Sequence, residues 1–487
     1  MLNRRNFLVL SGLTAGGAVV TPALLRTSTV AGQADPPHHS QHPGGGSGGA
    51  VASVAVAPFS VRMPLLPTLR PVRSTRTTDI YEIAIQPANM NILPGLNTPG
   101  LTYGGGFVGP TIRTRTGRQV AVTYRNLLDM PANVHLHGGH VPASSDGHPM
   151  DLIQPGQARL YEYPNTQQGA TLWYHDHAHH MEAEHVYRGL HGFYVIEDED
   201  ERHLRLPDGN HDVPIMIRDA QFDDTGALVY GNPALRTTIL VNGRPQPYFP
   251  VDARKYRFRL LNASNEGTFR LNLGNAGMTQ IASDGGLLSA PVPRDEIALS
   301  AGERVEIVID FSRYPVGTQL VLADGTRGPV LRFDVVRRAD DRSRLPDVLR
   351  PLPPLPPATN QRDVVFSFDL TGPAPVGLIN GKPYDPARDD FRIKRGTTEI
   401  WRVTNADTEF GFMHNFHMHL AQFRVLDRDG KPPTLDDAGR KDTVFVAPGS
   451  TVRVQATFDT YLGRYAYHCH FLEHSSVGMM AQMEIIP

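Results

Sequence analysis

Four pairs of histidines stand one residue apart in this chain: His135-Leu136-His137, His175-Asp176-His177, His417-Met418-His419 and His468-Cys469-His470. In an extended strand, residues i and i+2 face the same side, so each pair aims two imidazoles at one point. Imidazole binds copper, zinc, iron or nickel. One such pair is ordinary, two exposed or hydrogen-bonded side chains. Four pairs in one chain, two early and two late, point to a metal-binding constellation.

The last cluster narrows the metal. Cys469 is followed by His474 and Met479, and His414 precedes the third pair. Two histidines, one cysteine thiolate and a distant methionine form the electron-transfer geometry of blue copper. Cys469, His474 and Met479 supply three of these ligands from one loop, and His414 can supply the fourth. Within that strand Cys469 points opposite to His468 and His470, so those two imidazoles face a second metal site. An electron arriving at the sulfur is then a few covalent bonds from both histidines, and one segment wires two sites together.

The elements that position these residues are strands. A strand, a turn, a second strand and a closing asparagine recur three times along the chain. The echoes are Pro110-Thr111-Ile112-Arg113 to Asn126, Asn242-Gly243-Arg244-Pro245 to Asn262, and Asn380-Gly381-Lys382-Pro383 to Asn405. Each second strand alternates apolar and polar residues, as in Val120 to Tyr124 and Glu399 to Val403, the period of a half-buried strand. A spacing of about 140 residues is far longer than a solenoid repeat and predicts three homologous β domains. The fold expected is all-β, three β-sandwiches. The domains are drawn at 61–200, 201–340 and 361–487, with a Pro-rich linker at 341–360 that is stiffest from Leu345 to Pro357.

Composition agrees. The 487 residues include 46 Gly and 41 Pro, natural for many short strands joined by turns. Lys and Arg number 47 against 49 Asp and Glu, which argues against a nucleic-acid partner needing a strong basic field. Cys469 is the single cysteine, so no intramolecular disulfide forms, and its company of 21 histidines points to metal chemistry. Residues 1–34 read as a twin-arginine export signal, with Arg4-Arg5 before a mildly apolar stretch too short for a stable membrane span. Such export carries folded proteins, which suits a chain that acquires metal first, and places the product in the periplasm, at the cell surface or outside the cell. Residues 35–60, with His38, His39, His42 and a glycine run, read as a flexible leader.

From about Tyr81 to the C-terminus the chain resembles the three-domain multicopper oxidases, or laccases, and most closely the bacterial spore-coat laccase and bilirubin oxidase branch. His135-Leu136-His137-Gly138-Gly139, Trp173-Tyr174-His175-Asp176-His177, Arg254 to Arg259, Ser283 to Leu288 and the loop His468 to Met480 carry the resemblance. It implies three cupredoxin-like domains of Greek-key order and four copper ions, one type 1, one type 2 and a type 3 pair. Cys469, His414 and His474 would bind type 1 copper with Met479 axial. His135 and His417 would bind type 2, and His137, His175, His177, His419, His468 and His470 the type 3 pair. The trinuclear centre would lie between the first and third domains, the middle one serving as a spacer. Asp146 occupies the position of an acid that assists the oxygen chemistry in this branch. The three-domain form is mostly monomeric, so a monomer is expected.

The resemblance also implies the reaction: one-electron oxidation of phenols or aromatic amines coupled to four-electron reduction of dioxygen to water. The alternative is a metallo-oxidase acting on Cu(I) or Fe(II). The 13 methionines are scattered rather than gathered in a Met-rich insertion, which counts against cuprous oxidation, and ferrous oxidation needs carboxylates near type 1 copper. A copper-free binding module is a third possibility, which the full ligand set disfavours. Two departures stand out. Relatives commonly carry an acid after the second type 1 histidine, whereas this chain reads His474-Ser475-Ser476, so Asp146, Glu473 or water is expected to deliver protons. His414-Asn415-Phe416-His417 also lacks the proline usual near the type 2 histidine, which removes a backbone constraint but no ligand.

Overall fold

The computed structural model describes residues 56–487. The export signal and the leader up to residue 55, with His38, His39 and His42, lie outside the described residues. About 49% of the described residues are strand and about 7% helix, the all-β balance that the alternating patterns demand. No helix among the described residues is long and apolar enough to cross a membrane.

The strands form six sheets, two in each third of the chain. The same pairing recurs in all three. Thr78–Met90 runs parallel to Gln119–Asn126, Asp212–Ala220 parallel to Lys255–Asn262, and Asn360–Asp369 parallel to Thr397–Asn405. On its other side each of these second strands meets an antiparallel partner: Ala158–Tyr163, Arg304–Asp310 and Thr451–Phe458. Their inward faces make the three main apolar cores, for example Ile83, Val122 and Tyr161 in the first and Val364, Val403 and Val454 in the third.

The asparagine that ends each echo explains why it recurs. Asn126, Asn262 and Asn405 are buried, and each side-chain amide donates to two backbone carbonyls: Met130 and Ile153, Gly267 and Leu299, Phe412 and Val446. Each amide oxygen accepts from the backbone N–H two residues on. One side chain thus satisfies three backbone groups where the chain leaves the sheet, a pattern that an apolar residue cannot supply.

The segments between domains are fastened rather than free. Phe59 N–H donates to Gln246 at 2.7 Å and Met63 N–H to Tyr248 at 2.8 Å, so the flexibility expected of 35–60 does not extend to its last residues. Arg332 lies over the Phe59 ring and fixes it there. The Pro-rich linker is pinned as well. Arg350 pairs with Asp198 at 2.6 Å, Leu349 packs against Leu206 and Leu287, and Gln455 donates to the Pro356 carbonyl.

Candidate metal centres

The four histidine pairs lie at the ends of two pairs of antiparallel strands. In the first domain His135–His137 runs beside Ala170–His175, with His135 opposite His175. In the third, His414–Met418 runs beside Gly463–Cys469, with His417 opposite His468. The two units face each other and their imidazoles interleave. His135 stacks on His419 and His137 on His417, each with ring centroids 3.7 Å apart. His177 meets His468 at 4.8 Å and His137 meets His470 at 4.7 Å. The eight histidines of the expected trinuclear site therefore share one buried chamber between the first and third domains.

Hydrogen bonds fix which nitrogen each ring offers. The Nδ1–H groups of His135, His175, His417 and His468 donate to the backbone carbonyls of Asp146, Asp176, Asp442 and Cys469 at 2.6–2.9 Å. His419 uses Nδ1 on the Asp146 carboxylate at 2.7 Å. Nε2 is then the free ligand atom on each. His137 is reversed: its Nε2 meets Asp442 Oδ1 at 2.9 Å and leaves Nδ1 inward.

These inward atoms are what a metal would satisfy. Nε2 of His135, His175, His417 and His470 and Nδ1 of His137 are buried with no partner among the described residues. His468 Nε2 lies 3.1 Å from His177 Nε2 and 3.4 Å from His419 Nε2, a convergence of donor atoms that three imidazoles alone do not favour. Burial lowers the pKa of all eight, reinforced by neighbouring imidazoles at all but His468, and His175 and His468 reach about 4. Neutral rings are the form that binds metal.

The second centre lies on the other side of the Cys469 strand. His414 Nδ1 and His474 Nδ1 are 3.0 Å apart, and Cys469 Sγ is 3.5 Å from the first and 3.6 Å from the second. One sulfur and two nitrogens thus converge in a fully buried pocket, and the donor set fits copper. Burial pushes the Cys469 thiol up to about 12, so a bound cation is what would hold it as thiolate. Met479 is buried beside them. Its carbonyl accepts from Cys469 N–H at 3.1 Å and its N–H donates to the His474 carbonyl at 3.0 Å, which closes the loop on itself. Gly377 must be glycine here: a Cβ would sit 2.6 Å from Met479 Cβ.

Both histidines of this centre carry a carboxylate on their outer nitrogen. Asp407 accepts from His414 Nε2 at 2.8 Å, and Glu266 of the middle domain lies 3.4 Å from His474 Nε2. Asp146 sits behind the eight-histidine chamber. It ends the single helical turn Ala143–Ser145 ahead of Gly147, yet it is fully buried and its carboxylate holds His419. Burial raises its pKa well above the carboxylate range.

Glu473 has a different place. Its carboxylate accepts from Arg236 at 2.7 Å and Asn265 at 3.0 Å, a buried ion pair between the third domain and the middle one. Arg236 matches the charge of this carboxylate, which ties the third domain to the middle one, while its Oε2 is buried with no partner among the described residues.

The sequence reading missed the residues that hold the ligands. Arg304, from the middle domain, grips both Asp442 oxygens at 2.6 Å and also donates to the Thr171 carbonyl. Asp442 in turn orients His137. Gly302 presses on the His470 ring, which a Cβ would approach to 2.9 Å, and its φ of +83° suits glycine. The middle domain is therefore more than a spacer. The signal available was Lys441-Asp442-Thr443 ahead of an apolar strand, which nothing in the sequence links to Arg304.

Comparisons with known proteins agree with this geometry. Three stretches match the multicopper oxidase family: residues 84–201, 212–334 and 352–487. The chain is 35% identical to a laccase of Bacillus stratosphericus, over 88% of this chain and 99% of that one. It is 34% identical to the bilirubin oxidase of Albifimbria verrucaria, over 87% and 80%. Among solved structures, a laccase from Pediococcus acidilactici superposes with a TM-score of 0.83 at 32% identity, covering 90% of this chain and 95% of that one.

Proposed function

The chain belongs to the multicopper oxidase family, and from that premise we propose that it is a laccase-like enzyme, taking electrons singly from phenols or aromatic amines and delivering four of them to dioxygen. Copper held by His414, Cys469 and His474 with Met479, and three further ions held by the eight histidines, would supply one-electron transfer and dioxygen reduction. The rest falls to the chain's own residues.

The observation that carries the substrate class is a cavity of about 460 Å³ lined by Phe368, Asp369, Asp407, Glu409 and Phe410. Asp407 is both its wall and the acceptor of the His414 Nε2–H bond. A phenol that gives up an electron becomes a far stronger acid, and a carboxylate at the cavity wall can take the proton. Phe368 and the 42% exposed Phe410 offer faces for an aromatic ring. Aromatic amines gain from the surrounding acids as well. At the other centre, Asp146 holds His419 in one tautomer and is placed to pass protons.

A second reading, oxidation of Fe(II), is favoured by the carboxylates on both histidines of the sulfur centre, Asp407 and Glu266. Hard ferrous ion takes oxygen ligands, whereas Cu(I) prefers thioethers, and Met479, Met480 and Met483 are buried in the fold. Oxygen uptake by the copper-loaded protein with a phenol, an aromatic amine, Fe(II) and Cu(I) separates the readings. Faster turnover with the organic reductants, and its loss in Phe410→Ala, supports the laccase. Turnover confined to Fe(II) moves the assignment to a ferrous oxidase.

We also propose that residues 1–34 direct export by the twin-arginine route and that the exported protein is a monomer. Arg4-Arg5 before the apolar stretch supports the first; retention of an Arg4→Lys, Arg5→Lys variant inside the cell tests it. Sedimentation of the exported protein tests the second.

A further inference from the structure

The acid missing after His474 has a counterpart on another domain. The helix Glu182–Arg188 of the first domain packs against the turn Leu472–Ser476 of the third. There Ser475 Oγ donates to Glu182 Oε1 at 3.0 Å. We propose that Glu182 is the proton-relay carboxyl of oxygen reduction in this chain, taking the place of an acid at position 475, with the Ser475 hydroxyl as its positioning partner. This rests on the oxygen-reducing function proposed above.

Three observations support it. Glu182 is fully buried, a costly place for a carboxyl without a role, and its Oε2 has no partner among the described residues. Tyr384, which feels the charge of Glu182, has a buried hydroxyl without a partner among the described residues, and its ring lies 4.7 Å from that of His179, whose Nδ1 is likewise buried and without a partner. Such a polar set is what ordered water bridges. The set also reaches solvent: the His179 ring lies 3.7 Å from the exposed ring of His180, tilted by 31° to it, and His180 is itself tied to the Ser476 carbonyl. His179 and Tyr384 thus line the way from the surface at His180 to Glu182, whose backbone N–H donates to the Ala178 carbonyl at 2.9 Å, one residue from His177 of the eight-histidine chamber.

The environment suits proton transfer at neutral pH. Burial raises Glu182 to about 7, against the opposing bonds from its own backbone, Ser475 and Ser476, with the negative charge of Asp176 adding to the rise. The other titratable groups that feel it are His185 on its own helix, Tyr384 from the third domain and Tyr230 from the middle domain. No arginine or lysine faces it among these. One dioxygen takes four electrons and four protons to give two waters, and each proton that leaves Glu182 is replaced from solvent along this path.

The test uses the copper-loaded protein and its Glu182→Gln, Glu182→Asp and Glu182→Ser/Ser475→Glu variants. Glutamine keeps the hydrogen bond from Ser475 but cannot give a proton. It should leave the blue absorbance and its bleaching by reductant intact, cut oxygen turnover by about a hundredfold and remove the limb of the pH profile near neutrality. Glu182→Asp, and the variant with the carboxyl moved to position 475, should recover much of the loss. Parent-like turnover and pH profile in Glu182→Gln would overturn the proposal. A readout that needs no turnover is the infrared spectrum of the metal-free protein. The parent should show a protonated carboxyl at neutral pH that Glu182→Gln lacks, and identical spectra would also overturn it. If the parent itself consumes no oxygen with any reductant, the proposed function fails and the relay falls with it, whereas an active parent with an indifferent Glu182→Gln refutes the relay alone.

Discussion

Replacing Arg304 by leucine separates two roles of the middle domain. Arg304 is wholly buried and makes two 2.6 Å bonds to Asp442 and one of 2.9 Å to the Thr171 carbonyl, and so it touches all three domains. Burial works against its charge, but Asp442 and Asp284 outweigh this and raise its pKa. Leucine leaves the Asp442 carboxylate buried without its cation. Asp284 keeps Lys441 at 3.4 Å, so the main loss is one pair. Removing one partner of a buried pair costs about 3–5 kcal/mol, which lowers the unfolding midpoint of a chain this long by roughly 3–5 °C. Asp442 also orients His137, and losing such an outer hydrogen bond weakens metal binding by about 10–100-fold. Among the described residues, the hydrogen bonds of Arg304 go to Asp442, Thr171, Gly302 and Asp284, not to His414 or Cys469 of the sulfur centre. The variant should therefore keep its blue absorbance while losing copper and the near-ultraviolet shoulder of the eight-histidine centre. Calorimetry, copper analysis and the visible spectrum measure this. In a double-mutant cycle with Asp442→Asn, a coupling under about 1 kcal/mol, or loss of both absorption features together, would refute the reasoning.

Three further outcomes follow from the same geometry. Asp146→Asn keeps an acceptor for His419 but removes the acid, so oxygen turnover should fall by about a hundredfold with the blue band unchanged, and undiminished turnover speaks against a proton role. Met479→Leu removes a soft axial donor and should raise the potential of the sulfur centre in a redox titration; a lower potential contradicts the axial assignment. Glu182 gives a pH-dependent stability. Its folded pKa of about 7 exceeds the ordinary 4.5, so between these values the folded state holds a proton that the unfolded chain has lost, and stability falls as pH rises. Metal-free Glu182→Gln should gain about 3 kcal/mol over the parent above pH 7 and nothing below pH 4.5, and a gap independent of pH would refute the shift.

The histidine and cysteine clusters were legible because a strand converts spacing into direction. His135 and His137, or His468 and His470, must face one side, and Cys469 the other, whatever surrounds them. Asn126, Asn262 and Asn405 were legible as a repeat, though only the structure shows that each closes three backbone bonds. The residues that orient the ligands were not legible. Arg304, Asp442, Asp407 and Glu182 are ordinary charged residues in ordinary positions, and their partners are 138, 7 and 293 residues away in sequence. Glu473 was legible by its place beside His474, but not its partner: Arg236, 237 residues away, pairs with the carboxylate. Sequence distance carries no information about which charge is neutralised, and neutralisation decides which acids remain available.

That distinction explains why a domain without a single ligand is placed in the middle of the chain. The eight-histidine chamber is split between two domains, and its rings stack at 3.7 Å across the divide. Before metal arrives the inward lone pairs of eight neutral imidazoles do not attract one another, and the bonds of His419 to Asp146 and of His137 to Asp442 are reinforced from outside the chamber. The middle domain does this with buried charge: Arg304 on Asp442, Arg236 on Glu473, and Arg259 bridging Asp212, Glu306 and Thr171 of the first domain. Such pairs add little net stability over an apolar interface, but they tolerate few alternative geometries. Interfaces set by directional bonds hold two half-sites in register where apolar contact alone would let them slide, and register is what a metal shared by both halves requires.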